Sequence, residues 1–163
     1  MSAAAWVARA QMQRVLNLMQ EDNRLVCEVM LKTGLRVGDV LQLRCEKLRA
    51  RITVREMKTG KRRSIYLGLK LSRKLRRGRR RGWVFPSPRD PQKHRSRQAV
   101  WMDMKKAAEL VGVRGVSPHS CRKIFAVEYR KRYGIAAAQR VLNHDNRSVT
   151  VLYALSDVLS KEQ

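Results

Sequence analysis

Acidic residues are scarce in this chain. Thirteen Asp and Glu oppose 37 Lys and Arg among 163 residues, a formal net charge of +24. Self-repulsion at that level opposes compaction unless phosphates or counterions gather on the surface. Glycine and proline number only 9 and 4, with no repeat, which excludes collagen-like and mucin-like chains. The three cysteines, Cys27, Cys45 and Cys121, are an odd number without a C-x-x-C pair, so neither a disulfide framework nor a zinc site follows. Cys27 and Cys45 lie among apolar neighbours and read as small buried hydrophobes. Aromatic residues make up 6% of the chain, too few for a base-stacking reader of single-stranded RNA. No apolar run reaches the ~20 residues of a membrane helix. Arg9 and Arg14 interrupt the first apolar stretch, which therefore does not read as a signal peptide. With 44% hydrophobic residues a sizeable core is within reach, and the expectation is one soluble, cytoplasmic domain over residues 1–163.

The positive charge is unevenly spread. Residues 47–82 hold 16 of the 37 cations, with Glu56 as their only acid. A solvated face usually mixes signs, so this stretch points to a polyanion, with nucleic acid first and an anionic membrane surface second. Gly78 and Gly82 break the long apolar face that a membrane-lying helix would need.

Periodicity predicts a mainly α chain with a small antiparallel β-sheet. Val15, Leu16, Leu18 and Met19 form a stripe on a first helix. Asp22 or Asn23 offers the N-cap of a second helix carrying Leu25, Val26, Val29 and Met30, with Gly34 as its stop. Val37, Val40, Leu41 and Leu43 resume the helical period. Ile52 and Val54, then Ile65 and Leu67, alternate on either side of Lys58-Thr59-Gly60-Lys61, which reads as a β-hairpin with a basic tip. Val84 and Phe85 offer one further short strand, and residues 86–97 a loop. Helices follow over residues 99–110, from Ser117-Pro118 to Tyr133, over 135–142, and after Ser148.

Four short elements carry candidate chemistry. His119-Ser120-Cys121-Arg122 puts a His and an Arg on one face of a helix's first turn, where free N–H groups and the macrodipole favour an anion. Leu142-Asn143-His144 is followed nine residues later by Tyr153. Thr33-Gly34-Leu35-Arg36-Val37-Gly38-Asp39-Val40-Leu41-Gln42-Leu43 places Arg36 between two helices, with Asp39 positioned to hold its guanidinium. Lys58 occupies the hairpin tip. Each element alone is common, whereas their ordered combination is not.

In that order, Arg36, Lys58, His119-x-x-Arg122, His144 and Tyr153 resemble the catalytic set of the tyrosine recombinase (phage integrase) family, and the resemblance covers essentially the whole chain. It implies the fold of that family's catalytic domain and site-specific cleavage and rejoining of double-stranded DNA through a 3′-phosphotyrosyl intermediate, as in DNA integration and recombination. Tyr153 would be the nucleophile, and Arg36 and Arg122 bidentate clamps on the phosphate. Lys58 would be the general acid, and His144 a hydrogen-bond donor to a phosphate oxygen. His119 would either assist proton movement at the tyrosine or bond the phosphate. Neither metal nor cofactor is required, because the cations supply the charge.

The basic residues expected on the DNA backbone are Lys61, Arg62, Arg63, Arg73, Lys74, Arg76, Arg77, Arg79, Arg80 and Arg81. The resemblance implies a monomer in solution that multimerises on DNA, without a membrane and in company with the nucleoid. Members of the family usually carry an N-terminal DNA-binding domain, expected here to be absent, and only ten residues follow Tyr153. Two alternatives keep the fold: a non-catalytic architectural DNA-binding protein, and strand cleavage of type IB topoisomerase kind without synapsis.

Overall fold

A computed structural model describes residues 7–78 and 80–142. Its elements run α1 (Arg9–Asn17), α2 (Glu21–Thr33), α3 (Val37–Leu41), a 3₁₀ turn (Cys45–Lys47), β1 (Arg51–Arg55), β2 (Arg62–Tyr66), α4 (Leu69–Arg76), α5 (Arg97–Leu110), α6 (Pro118–Tyr133) and α7 (Ile135–Leu142). The mainly α architecture with one two-stranded antiparallel sheet is the one the periodicity predicts. The helix expected after Ser148 lies outside the described residues.

The core forms around α2, which packs against α1, α3, α5 and α6. Leu25, Val26, Val29 and Met30 are buried on it, met by Cys121 and Ile124 of α6 and by Val100 and Met104 of α5. All three cysteines are buried free thiols. Neighbouring Cys121 and burial push the Cys27 thiol well above its ordinary pKa, which leaves it neutral and inert.

The caps show how the chain turns corners. Ser96 Oγ accepts from Ala99 N at 3.0 Å and starts α5. Pro118 opens α6 after Ser117, whose N–H donates to Ser120 Oγ at 3.3 Å. The N-cap of α2 is Gln20, and neither Asp22 nor Asn23 plays that part. Asp103 of α5 accepts from Gln20 N at 3.0 Å and from Asn23 Nδ2 at 2.7 Å, while Asp22 pairs with Arg77 and, at 2.7 Å, with Arg95. Two further expectations are corrected. Leu18 lies just beyond α1 and is half exposed, because the helix stops before the stripe closes. Val84 and Phe85 form no strand: Val84 N donates to Leu43 O at 3.0 Å and Phe85 O accepts from Arg95 N at 2.8 Å, with isolated bridges on either side.

In the hairpin, Ile52 faces Ile65 and Val54 faces Arg63, so the inward row of β2 consists of Arg63 and Ile65. The helix α4 follows, amphipathic over Leu71, Ser72 and Leu75.

Gly34 ends α2 with φ +66, and a Cβ there would run into the Phe125 ring. Gly112 has a similar φ of +70 with open space around it. Gly112→Ala is expected to cost about 1–2 kcal/mol of unfolding free energy, the left-handed backbone penalty. Gly34→Ala should add about 1–3 kcal/mol for the displaced ring. Equal denaturant midpoints for the two variants would remove Phe125 from the explanation.

Candidate functional site

A cleft of about 580 Å³ opens where α3, the hairpin tip and the starts of α5 and α6 converge. Arg36, Lys58 and His119 line it, joined by Gln42, His94 and Arg97. Arg36 is the N-cap of α3, in extended conformation after the turn that ends α2. Lys58 rides an exposed turn closed by Gly60 N to Glu56 O at 2.8 Å and Glu56 N to Lys61 O at 3.0 Å. His119 is the second residue of α6.

Glu56 organises one side of the cleft. It is fully buried, and Arg36 Nη1 donates to its Oε2 at 3.0 Å while Arg63 Nη1 donates to its Oε1 at 3.2 Å. Thr59 Oγ1 adds a third bond at 3.2 Å, and Arg63 also donates to the Thr33 carbonyl. Burial alone would raise the Glu56 carboxyl. The Arg63 bond and charge, with help from Thr59 and Arg36, outweigh it and hold the pKa below its ordinary value. Burial lowers the Arg63 pKa, and Glu56 and Asp39 oppose that pull.

Three expectations change here. Asp39 does not hold Arg36: it is buried in α3, and its Oδ1 accepts from Met57 N at 2.9 Å, tying α3 to the hairpin tip. Arg63, expected among the DNA-facing cations, points inward and is matched by Glu56. Arg122 is buried rather than projecting beside His119; it donates to the Gly34 carbonyl and, at 2.7 Å, to the Leu142 carbonyl. His144 and Tyr153 lie outside the described residues.

His94, Gln42 and Glu56 were not singled out by motif. Gln42 Nε2 lies 2.9 Å from His94 Nε2, and His94 Nδ1 lies 2.7 Å from the Arg95 carbonyl, which makes Nδ1 the protonated nitrogen and Nε2 the acceptor. The one available signal was for Glu56, the lone acid in a long basic stretch. Among the described residues no group of three His, Cys, Asp or Glu side chains converges as a metal site would.

Partial burial of its ring, followed by the charges of Lys123, Arg122 and Arg36, pushes the His119 pKa below its ordinary value. The shift favours the neutral imidazole at neutral pH.

A model of the phage integrase family matches residues 5–159. The chain belongs to that family. Tyrosine recombinase XerD of Mycobacterium tuberculosis is 30% identical over 83% of this chain and 48% of its own. The structure of XerH site-specific recombinase bound to palindromic difH substrate, a post-cleavage complex, aligns with a TM-score of 0.76 at 18% identity, over 99% of this chain and 52% of the other. A lambda integrase tetramer bound to a Holliday junction aligns with a TM-score of 0.73 at 20% identity, over 90% and 48%. The fold is thus that of the recombinase catalytic domain, and the chain spans about half the length of the curated relatives it matches.

Two measurements test this site. Glu56→Ala should cost about 3–5 kcal/mol in denaturant unfolding, since it strands Arg63 in the interior. Because the Glu56 carboxyl sits below its unfolded value, its stabilisation is complete above about pH 4.3 and fades as the pH falls through the folded value. Glu56→Gln should therefore flatten the acid limb of the stability profile, and an unchanged limb would dismiss the carboxylate as its source. For His119, imidazole titration by NMR should give a midpoint below that of a peptide histidine, rising when duplex DNA is added.

Proposed function

We propose that this family member cleaves and rejoins DNA strands through a covalent tyrosyl phosphate. The observation that carries the reading is that Arg36, Lys58 and His119, far apart in sequence, line one cleft. The XerH and lambda integrase complexes lend support, since both hold DNA and one is a post-cleavage complex.

In this reading the Tyr153 oxygen attacks the scissile phosphorus in line. A P–O bond to tyrosine forms as the bond to the 5′-oxygen breaks, and Lys58 protonates the leaving oxygen. The neutral His119 imidazole is available to take the tyrosine proton. Arg36 bears on the developing charge, oriented by Glu56. His144 supplies a further hydrogen bond to the phosphate. Arg122 ties the Gly34 turn to the Leu142 carbonyl, two residues before His144, and its charge acts on His119. Rejoining reverses each step, with a 5′-hydroxyl attacking the phosphotyrosine. The chain acts as a monomer that multimerises on its DNA, as the lambda integrase tetramer on a junction suggests.

The test is incubation with nicked duplex that traps cleavage, followed by denaturing electrophoresis. A covalent adduct should form with the wild type and vanish in Tyr153→Phe, while duplex binding persists. Arg36→Ala should lower adduct formation by a few orders of magnitude, as loss of about 3–4 kcal/mol of transition-state stabilisation requires. Duplex binding with no adduct under any condition would favour an architectural protein that kept the fold, and adducts surviving in Tyr153→Phe would displace the nucleophile.

A further inference from the structure

The basic stretch divides into cations neutralised within the molecule and cations that are not. On α4, Lys74 pairs with Glu28 at 3.0 Å, and Arg77 pairs with Asp22 and, at 3.1 Å, with Glu21. Arg76 donates to the Leu48 carbonyl at 2.7 Å, and Arg63 is matched by Glu56. Much of the charge that the sequence places on α4 thus serves to dock that helix on α2.

The opposite holds beside β1. A groove of about 450 Å³ is bounded by Arg44, Lys47, Arg49, Arg51 and Arg55, none of which pairs with a carboxylate among the described residues. Its two acids are engaged elsewhere: Asp39 accepts from Met57 N, and Glu46 accepts from Gly82 N at 3.1 Å. Four of the cations are nevertheless held in place. Arg49 donates to the Leu48 carbonyl at 2.7 Å, and Arg55 donates to the Gly60 carbonyl at 3.1 Å. Arg44 lies 3.4 Å over the Trp83 ring, and Arg51 lies 5.5 Å from the centre of the Tyr66 ring. Carbonyls and aromatic faces orient a guanidinium without cancelling its charge. Less side-chain entropy then remains to be lost when an anion arrives.

We propose that this groove seats the sugar–phosphate backbone of duplex DNA that continues from the phosphate in the Arg36 cleft. The inference rests on the DNA-cleaving reading above and locates the flanking strand. Continuity supports it, because Asp39 and Gln42 line both clefts. Extent supports it as well. Arg51 and Arg55 share the exposed face of β1, four residues and so about 13 Å apart, a span that fits a run of phosphates better than one small anion. Arg44 stacks on one face of Trp83 and occupies the place of an unpaired base there, which favours backbone binding of a duplex.

The experiment measures binding of the whole chain to a fluorescein-labelled duplex of mixed sequence by anisotropy across a salt series. Lys47→Gln with Arg51→Gln removes two exposed cations outside the catalytic set. It should make the slope of log K against log salt shallower by about 0.9 for each phosphate that is no longer neutralised. Thr53→Lys, on the same face of β1, should steepen the slope by a similar amount and does not depend on removing anything. Lys74→Gln with Arg77→Gln, at cations already paired with Glu28, Glu21 and Asp22, should change the slope by less than the value of one phosphate. Unchanged slopes in both β1 variants would overturn the groove, as would a larger change in the α4 variant. Equal slope changes on single-stranded DNA would replace the duplex by a single strand as occupant and overturn that part. Failure of the wild type to bind any duplex would instead bring down the DNA-cleaving reading on which the groove depends.

Discussion

One buried carboxylate, Glu56, sets the geometry of the cleft. It receives Arg36 on one oxygen and Arg63 on the other, and its own backbone opens and closes the turn that carries Lys58. A buried ion pair adds little net stability over apolar residues of the same shape, because both charges must leave water. What it supplies here is position. Arg36 belongs to the start of α3 and Lys58 to the hairpin, and Glu56 touches both elements and helps to fix their separation. Asp39 repeats the logic from the opposite direction, since its carboxylate in α3 caps Met57 N at the hairpin tip. Two acids thus bind the turn to the helix in a chain that has few of them.

Much of this fold was legible in the residue order, and the parts that were not share a physical cause. Alternation in Ile52, Val54 and Ile65 located the hairpin, and Ser117-Pro118 and Gly34 located the helix ends, because these signals are local. The helix α4 was missed, since its sequence is dominated by cations and its apolar stripe is short. Cations on it and at its end pair with acids of α2 some 50 residues away. Arg63 was counted among solvent-facing cations, although strict alternation from Ile65 would have turned it inward. The pairing of Arg36 with Glu56 rather than Asp39 is a tertiary outcome, and spacing in a helix does not announce it. Arg36, Lys58 and His119 were identified by motif and line one cleft, joined by Gln42, which lies in the motif of Arg36 without being singled out, and by His94, which lies in none.

The arrangement of charge also explains how a chain at +24 condenses. The acids are placed where they neutralise cations of the fold itself: Glu21, Asp22 and Glu28 line one side of α2 and receive Arg77, Arg95 and Lys74. Most of these pairs are partly exposed and individually weak. Their joint effect is to dock α4 and the 83–95 segment against the central helix. Excess charge then remains on other surfaces, where a polyanion would relieve the repulsion that opposes folding.

Arg122 shows why a motif fixes a residue's importance more securely than its geometry. As the fourth residue of the His119-x-x-Arg122 motif it was expected to project beside the histidine. The structure instead buries its guanidinium between the Gly34 carbonyl, at the end of α2, and the Leu142 carbonyl, at the end of α7. The Gly34 carbonyl lies at the C-cap of α2, where carbonyls lack an intrahelical donor. A guanidinium is suited to bridging the two carbonyls, since its fork presents several donors in one plane and stays charged. The Gly34 turn leads directly to Arg36, so Arg122 joins the turn that carries a cleft residue to the Leu142 carbonyl of α7. A charge held there contributes to the field that depresses the His119 pKa. Structural tie and electrostatic element are therefore one residue, and neither role can be removed without the other.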